Sequence, residues 1–244
     1  MQELDLAAPR AVAGIRNFGW VVPGVVARGE QPPLADDTFH GLHDLGISAV
    51  LSLRPHGEVP SPHRRISSPH QYDVEEERGV VERAGLRFAH APLEDFSAPP
   101  PEELAAALRA LDLQLETGPG VYVHCRAGAG RAGLVTGAWL IAHGGTGDQA
   151  VALYHSYLQH LGVQSGREES EWHSLLLRIG QPEVLWALQQ IAHALGSPVS
   201  ANAELLAPRR PEGADGWEAR YWATLSPWRS QYPLRVPDGP LREH

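Results

Sequence analysis

Short, almost wholly apolar runs alternate along this chain with longer stretches in which apolar residues recur every three or four positions. Residues 48–53, 86–91 and 121–124 are of the first kind and read as strands buried on both faces. Between and after them the spacing predicts helices over 34–45, 72–84, 102–116, 132–143, 147–161, 168–179 and 182–195. The first has Asp36 and Asp37 in its opening turn and Gly46 just past its end. In the second, Arg78 and Glu82 stand four apart; the third carries leucines at 104, 108, 111 and 115. This rhythm predicts an α/β sheet covered by helices. Residues 54–71 hold four prolines (Pro55, Pro60, Pro62, Pro69) and predict a long loop, either a recognition element or slack. Near the C-terminus Trp217, Tyr221, Trp222 and Leu225 mark one face of a short helix, which either packs back on its own domain or meets a partner.

Composition narrows the function classes. At 43% apolar residues the 244-residue chain can build a substantial core. Its formal charge of −9 disfavours general adhesion to nucleic acid or to anionic membranes, while leaving room for a local basic pocket. A single cysteine excludes an internal disulfide, a zinc ribbon and any mechanism with a resolving thiol in the same chain, and fits a reducing, cytoplasmic home. The first nine residues lack an apolar signal core, and the longest apolar stretch, 134–142, is too short to span a bilayer, so no membrane insertion is expected. His56, His63 and His70 recur every seven residues, but without an accompanying acid or cysteine cluster, so no metal site is expected.

The candidate chemistry lies at His124-Cys125-Arg126-Ala127-Gly128-Ala129-Gly130-Arg131, between a predicted strand and a predicted helix. A loop of this length can curl its backbone N–H groups around one anion, with Arg131 supplying a planar fork for two of its oxygens. The substrate-binding positions are then Arg126, Ala127, Gly128, Ala129 and Gly130. The same donors, with the helix dipole, favour a thiolate at Cys125, which would lie beneath the bound anion as a nucleophile.

A His-Cys pair followed after five residues by Arg resembles the signature of the cysteine-dependent protein tyrosine phosphatase superfamily. Asp95, thirty residues before Cys125 in Pro92-Leu93-Glu94-Asp95-Phe96-Ser97, is similar to the short acid loop of its dual-specificity members. Asn17 to Gly24, Arg28, Gln31-Pro32 and Leu51-Ser52-Leu53-Arg54 are similar to segments of atypical dual-specificity phosphatases, so the likeness covers roughly residues 15–180. It implies a central mixed sheet flanked by helices, with residues 1–180 as the catalytic domain and 181–244 as a helical C-terminal extension packed on it. It also implies metal-independent phosphomonoester hydrolysis without a cofactor. Cys125 would form a phosphocysteine, Arg131 would hold the phosphoryl oxygens, Asp95 would serve as general acid and then base, and His124 would orient the loop. Glu94 is the substitute acid in another loop register, and Asp95 has a second reading as a partner of the dipole of a helix starting near Ser97.

Two positions depart from the pattern. Ala132 stands where the family usually has Ser or Thr, which implies slower breakdown of the phosphocysteine or a trapping, phosphate-binding module. The second departure is at residues 163–169, where the family often has a Gln that positions hydrolytic water; the resemblance leaves that role to either Gln164 or Glu168. Substrate clues leave the ester open: a phosphorylated protein carrying phosphotyrosine, phosphoserine or phosphothreonine, or a small phosphorylated molecule such as an inositol phosphate or phosphoinositide. Arg54, His56, His63, Arg64, Arg65 and His70 form either a basic rim for a polyanion or a solvated loop.

Overall fold

The computed structural model describes residues 10–58, 69–164, 181–200 and 208–231. Six strands form one mixed sheet: β1 (Arg10–Val12), β2 (Ile15–Val22), β3 (Val26–Gly29), β4 (Ala49–Ser52), β5 (Arg87–His90) and β6 (Val121–His124). Their order across the sheet is β1-β2-β3-β6-β4-β5. The pairs β1–β2 and β2–β3 are antiparallel, whereas β3, β6, β4 and β5 run parallel. The described helices are α1 (Asp36–Asp44), α2 (Val74–Arg83), α3 (Pro101–Thr117), α4 (Gly130–Ala142), α5 (Gly147–Gln164), α6 (Gln181–Ala194) and α7 (Trp217–Gln231). The helix expected over 168–179 lies outside the described residues.

Strand alternation divides the core into two layers. Val121 and Val123 of β6, with Ala49 and Leu51 of β4, face a large cluster built with α3, α4, α5 and α6. Tyr122 and Val50 face the opposite side, where α1 and α2 contribute Phe39, Leu42, Val80 and Val81. Helix α4 is buried on every side, as its almost unbroken apolar sequence requires, and α6 joins the same cluster through Leu185, Leu188 and Ile191.

The aromatic stripe near the C-terminus packs back on the molecule. Trp217 and Tyr221 are buried, Trp217 meets Trp186 of α6 edge-on at 5.5 Å, and Trp217 Nε1 donates to Pro99 O at 3.1 Å. In α2, Asp73 caps the first turn by accepting from Glu75 N at 3.0 Å. Arg78 reaches Glu75 at 3.0 Å, so its partner is three positions before it and not Glu82 four after it. Among the described residues no helix is long and apolar enough to cross a membrane.

Candidate active site

Parallel strands that end together present their following loops on one edge, and that is where the expected residues converge. Ser52 pairs in register with both His90 and His124, so the chain leaves β4, β5 and β6 at the same level. The segments that follow carry Arg54 and Glu58 after β4, Asp95 after β5 and Cys125 after β6. Cross-links between these exits fix their spacing: Leu53 N donates to His124 O at 2.9 Å and Leu93 N to Leu53 O at 3.1 Å.

Cys125 is buried at the start of the loop, and Arg131 lies in the first turn of α4, also buried. The glycine at 128 is required, because its φ of +75° lies in the left-handed region and an added Cβ would overlap Tyr157 Oη and the Gly29 carbonyl. Other groups brace the loop from outside. Asn17 Nδ2 donates to Ala127 O at 3.0 Å, and Gln31 N donates to Arg126 O at 3.2 Å. Tyr157 Oη is itself anchored by donating to Asn17 O at 3.0 Å.

Five charged side chains crowd the mouth of this loop. Arg131 Nη2 lies 2.6 Å from Glu58 Oε1 and 3.1 Å from Asp95 Oδ2, while its Nη1 donates to Leu93 O at 3.4 Å. Glu58 Oε2 also lies 3.1 Å from Arg54 Nε and 3.9 Å from Arg126 Nη1. Burial disfavours the charged form of Arg131, but Cys125, Asp95 and Glu58 outweigh it and raise its pKa. Arg126 has the opposite balance: burial lowers its pKa, and Arg54 and Arg131 add to that against the pull of Glu58. For Asp95 burial dominates and raises the carboxyl above its ordinary value, despite the opposing Arg131. The Nε atoms of Arg126 and Arg131 are buried and meet no hydrogen-bond acceptor among the described residues. Buried guanidinium donors left over in this way can engage an anion.

Strand parity also explains a charge that sequence reasoning missed. Ser52 and His124 share the sheet face of Val50 and Tyr122, which looks toward α2, and there Glu77 is fully buried. His124 Nε2 lies 2.8 Å from Glu77 Oε1, Ser52 Oγ donates to Glu77 Oε2 at 3.3 Å, and Arg54 Nη1 lies 3.8 Å from the same oxygen. His124 Nδ1 lies 3.2 Å from Cys125 O. Glu77 therefore ties β4, β6, the opening of the loop and Arg54 to one helix.

Other expected positions separate. Glu94 is exposed, and of these two neighbours Asp95 is the one that meets Arg131. Helix α3 begins at Pro101, six residues after Asp95. Ala132 is buried in the apolar core, with Thr136 Oγ1 donating to its carbonyl at 2.7 Å. Gln164 is the last residue of α5, and Glu168 lies outside the described residues. Of the 54–71 loop, Arg54 is buried and committed to ion pairs, His56 is exposed beside Asp73, and His63, Arg64 and Arg65 lie outside the described residues.

Comparison with known structures finds chains of similar fold. A variant of TpbA from P. aeruginosa, in complex with pTyr, is 17% identical over 78% of this chain and 95% of its own, with a TM-score of 0.49. The core catalytic domain of the PP-IP phosphatase SIW14 from S. cerevisiae, in complex with citrate, is 17% identical over 69% of this chain and 95% of its own, with a TM-score of 0.44. A putative phosphatase from Shewanella putrefaciens is 21% identical over 63% of this chain and 91% of its own, with a TM-score of 0.43. The model of one protein family matches residues 24–145, half of the sequence, from the turn before β3 through the whole cysteine loop and α4. By that match the chain belongs to the DSP-PTPase phosphatases of polymorphic toxin systems.

Proposed function

We propose that this phosphatase hydrolyses phosphomonoesters by way of a phosphocysteine on Cys125, with phosphotyrosine in a protein as its main ester and phosphoserine or phosphothreonine as lesser ones. The observation that carries the reading is the contact of Arg131 with Asp95 at 3.1 Å above the loop that opens at Cys125. In the first step the Cys125 thiolate attacks phosphorus while the loop N–H groups and Arg131 hold the three peripheral oxygens. The P–O bond to the leaving group breaks, and Asp95 donates its proton to the departing oxygen. Burial raises the Asp95 pKa, which favours the protonated form this step consumes. In the second step the Asp95 carboxylate takes a proton from water, the water oxygen attacks phosphorus, and inorganic phosphate leaves as the thiolate is restored. His124 orients the loop through the Cys125 carbonyl and takes no proton. The exposed ring of Phe96, next to Asp95, offers an apolar rim suited to an aryl ester.

No step calls on a metal or a cofactor, and a nucleophile that must stay unoxidised suits a cytoplasmic setting. The overall acidity of the chain favours phosphorylated proteins or small molecules over nucleic acid as partners. The test is para-nitrophenyl phosphate hydrolysis in excess chelator, followed by a phosphopeptide panel. Steady turnover that disappears in Cys125→Ser supports the proposal, and turnover that survives this substitution overturns it. Ala132 favours a second reading, a module that captures phosphate esters with little turnover. A stoichiometric burst without further product would select it.

A further inference from the structure

The ion pairs at the mouth of the cysteine loop carry one residue that the two-step reaction does not use. Glu58 places its carboxylate among three guanidinium groups, 2.6 Å from Arg131, 3.1 Å from Arg54 and 3.9 Å from Arg126. We propose that Glu58 is a specificity-determining residue that neutralises Arg54 and Arg126 and so restricts the site to a single phosphoryl group. The inference rests on the reading of the loop as a phosphate seat and goes beyond it by assigning how many anionic groups that seat admits.

The turn that carries Glu58 is held in place. Arg54 is buried, donates through Nη2 to Tyr72 O at 2.9 Å and stacks over the Tyr72 ring at 5.2 Å. The chain then bends at Gly57, whose φ is +66°, and Gly57 N donates to Asp73 Oδ2 at 3.4 Å. His56 packs edge-on against His90 at 4.9 Å. Glu58 is thereby delivered from a pinned turn to the side of the loop occupied by Arg54 and Arg126. A substrate with one phosphoryl group needs the loop N–H groups and Arg131, and has to displace Glu58 Oε1 from that one arginine, which it meets at 2.6 Å. A second anionic group beside the first, as in a pyrophosphate or a closely spaced bisphosphate, would need Arg54 and Arg126. There it meets a carboxylate of like charge already paired with both. Three arginines near one loop would by themselves favour polyanions; this carboxylate reverses that preference.

The experiment is calorimetric titration of orthophosphate and pyrophosphate into Cys125→Ser protein, with Glu58 intact and with Glu58→Gln. With Glu58 intact, pyrophosphate should bind no more than about threefold tighter than orthophosphate. In Glu58→Gln that ratio should rise by about tenfold or more, the scale of one or two charge-assisted hydrogen bonds, and adding Arg126→Gln should bring it back. Pyrophosphate binding more than about tenfold tighter with Glu58 intact overturns the proposal, and this result does not depend on the Glu58→Gln protein folding. A ratio unchanged in folded Glu58→Gln protein overturns it equally. Failure of both anions to bind either protein would instead overturn the phosphate-seat reading, and the specificity role with it.

Discussion

Removing the carboxylate of Glu77 should unfold this protein more readily than almost any other single change near the site. Glu77 is fully buried and meets His124 at 2.8 Å, Ser52 at 3.3 Å and Arg54 at 3.8 Å. In Glu77→Ala the hydroxyl and the imidazole lose their buried partner, and Arg54 loses part of its compensation. Breaking a buried pair from one side costs about 3 to 5 kcal/mol. In a chain of this size each kcal/mol lowers the melting temperature by roughly 2 to 4 °C, which gives a loss of about 6 to 20 °C at neutral pH. Glu77→Gln keeps an acceptor of the same shape and should lose about 1 to 3 kcal/mol, folding well enough to be assayed. Its kcat should fall more than its KM rises, because His124 would hold the Cys125 carbonyl less firmly. Melting by circular dichroism and para-nitrophenyl phosphate kinetics measure both effects. If Glu77→Ala melts within about 2 °C of the parent, the buried charge is not what ties the sheet to α2, and the reasoning fails.

Asp95→Asn should lower kcat by about 10² to 10⁴ on alkyl phosphates and by less on para-nitrophenyl phosphate, whose leaving group needs little protonation. The same variant should melt higher than the parent at neutral pH. A carboxyl whose pKa is raised by burial destabilises the fold once ionised, and the gap should close as pH falls below the ordinary value of 3.8. Gly128→Ala, which forces a left-handed φ on alanine and overlaps Tyr157 Oη, should abolish phosphate binding while leaving the secondary structure by circular dichroism intact. Trp217→Phe keeps the ring stacked on Tyr221 but strips Pro99 O of its donor, so urea unfolding should report a loss of about 1 to 3 kcal/mol.

What could be read from sequence follows from how each residue advertises its surroundings. The runs at 48–53 and 121–124 are apolar on both faces, and strands β4 and β6 are indeed covered on both sides. The cysteine loop was legible because its spacing is itself the geometry: glycine where φ is positive, arginine in the first helical turn. The N-terminal antiparallel meander of β1, β2 and β3 does not read as strands in the sequence, because its buried positions include polar Asn17 and Arg28, which satisfy their groups against Ala127, Glu30 and Leu153. Such partners lie more than a hundred residues away for Ala127 and Leu153, and no local pattern announces them. Glu77 was hidden for a related reason: as the last of three consecutive glutamates it looks like a solvated helix face, and only the strand parity of Ser52 and His124 turns it inward. Glu58 was lost in a proline-rich loop, where spacing carries no information about which side chain folds back onto the site.

In the proposed reaction phosphate passes through covalent attachment to one sulfur atom. Acid quenching during steady turnover, followed by mass spectrometry of the peptide that contains Cys125, tests it directly. A phosphoryl group should accumulate on Cys125 within the first turnover and be absent in Cys125→Ser. Full activity with no phosphorylated cysteine at any time point, or with the phosphoryl group on another residue, would contradict it.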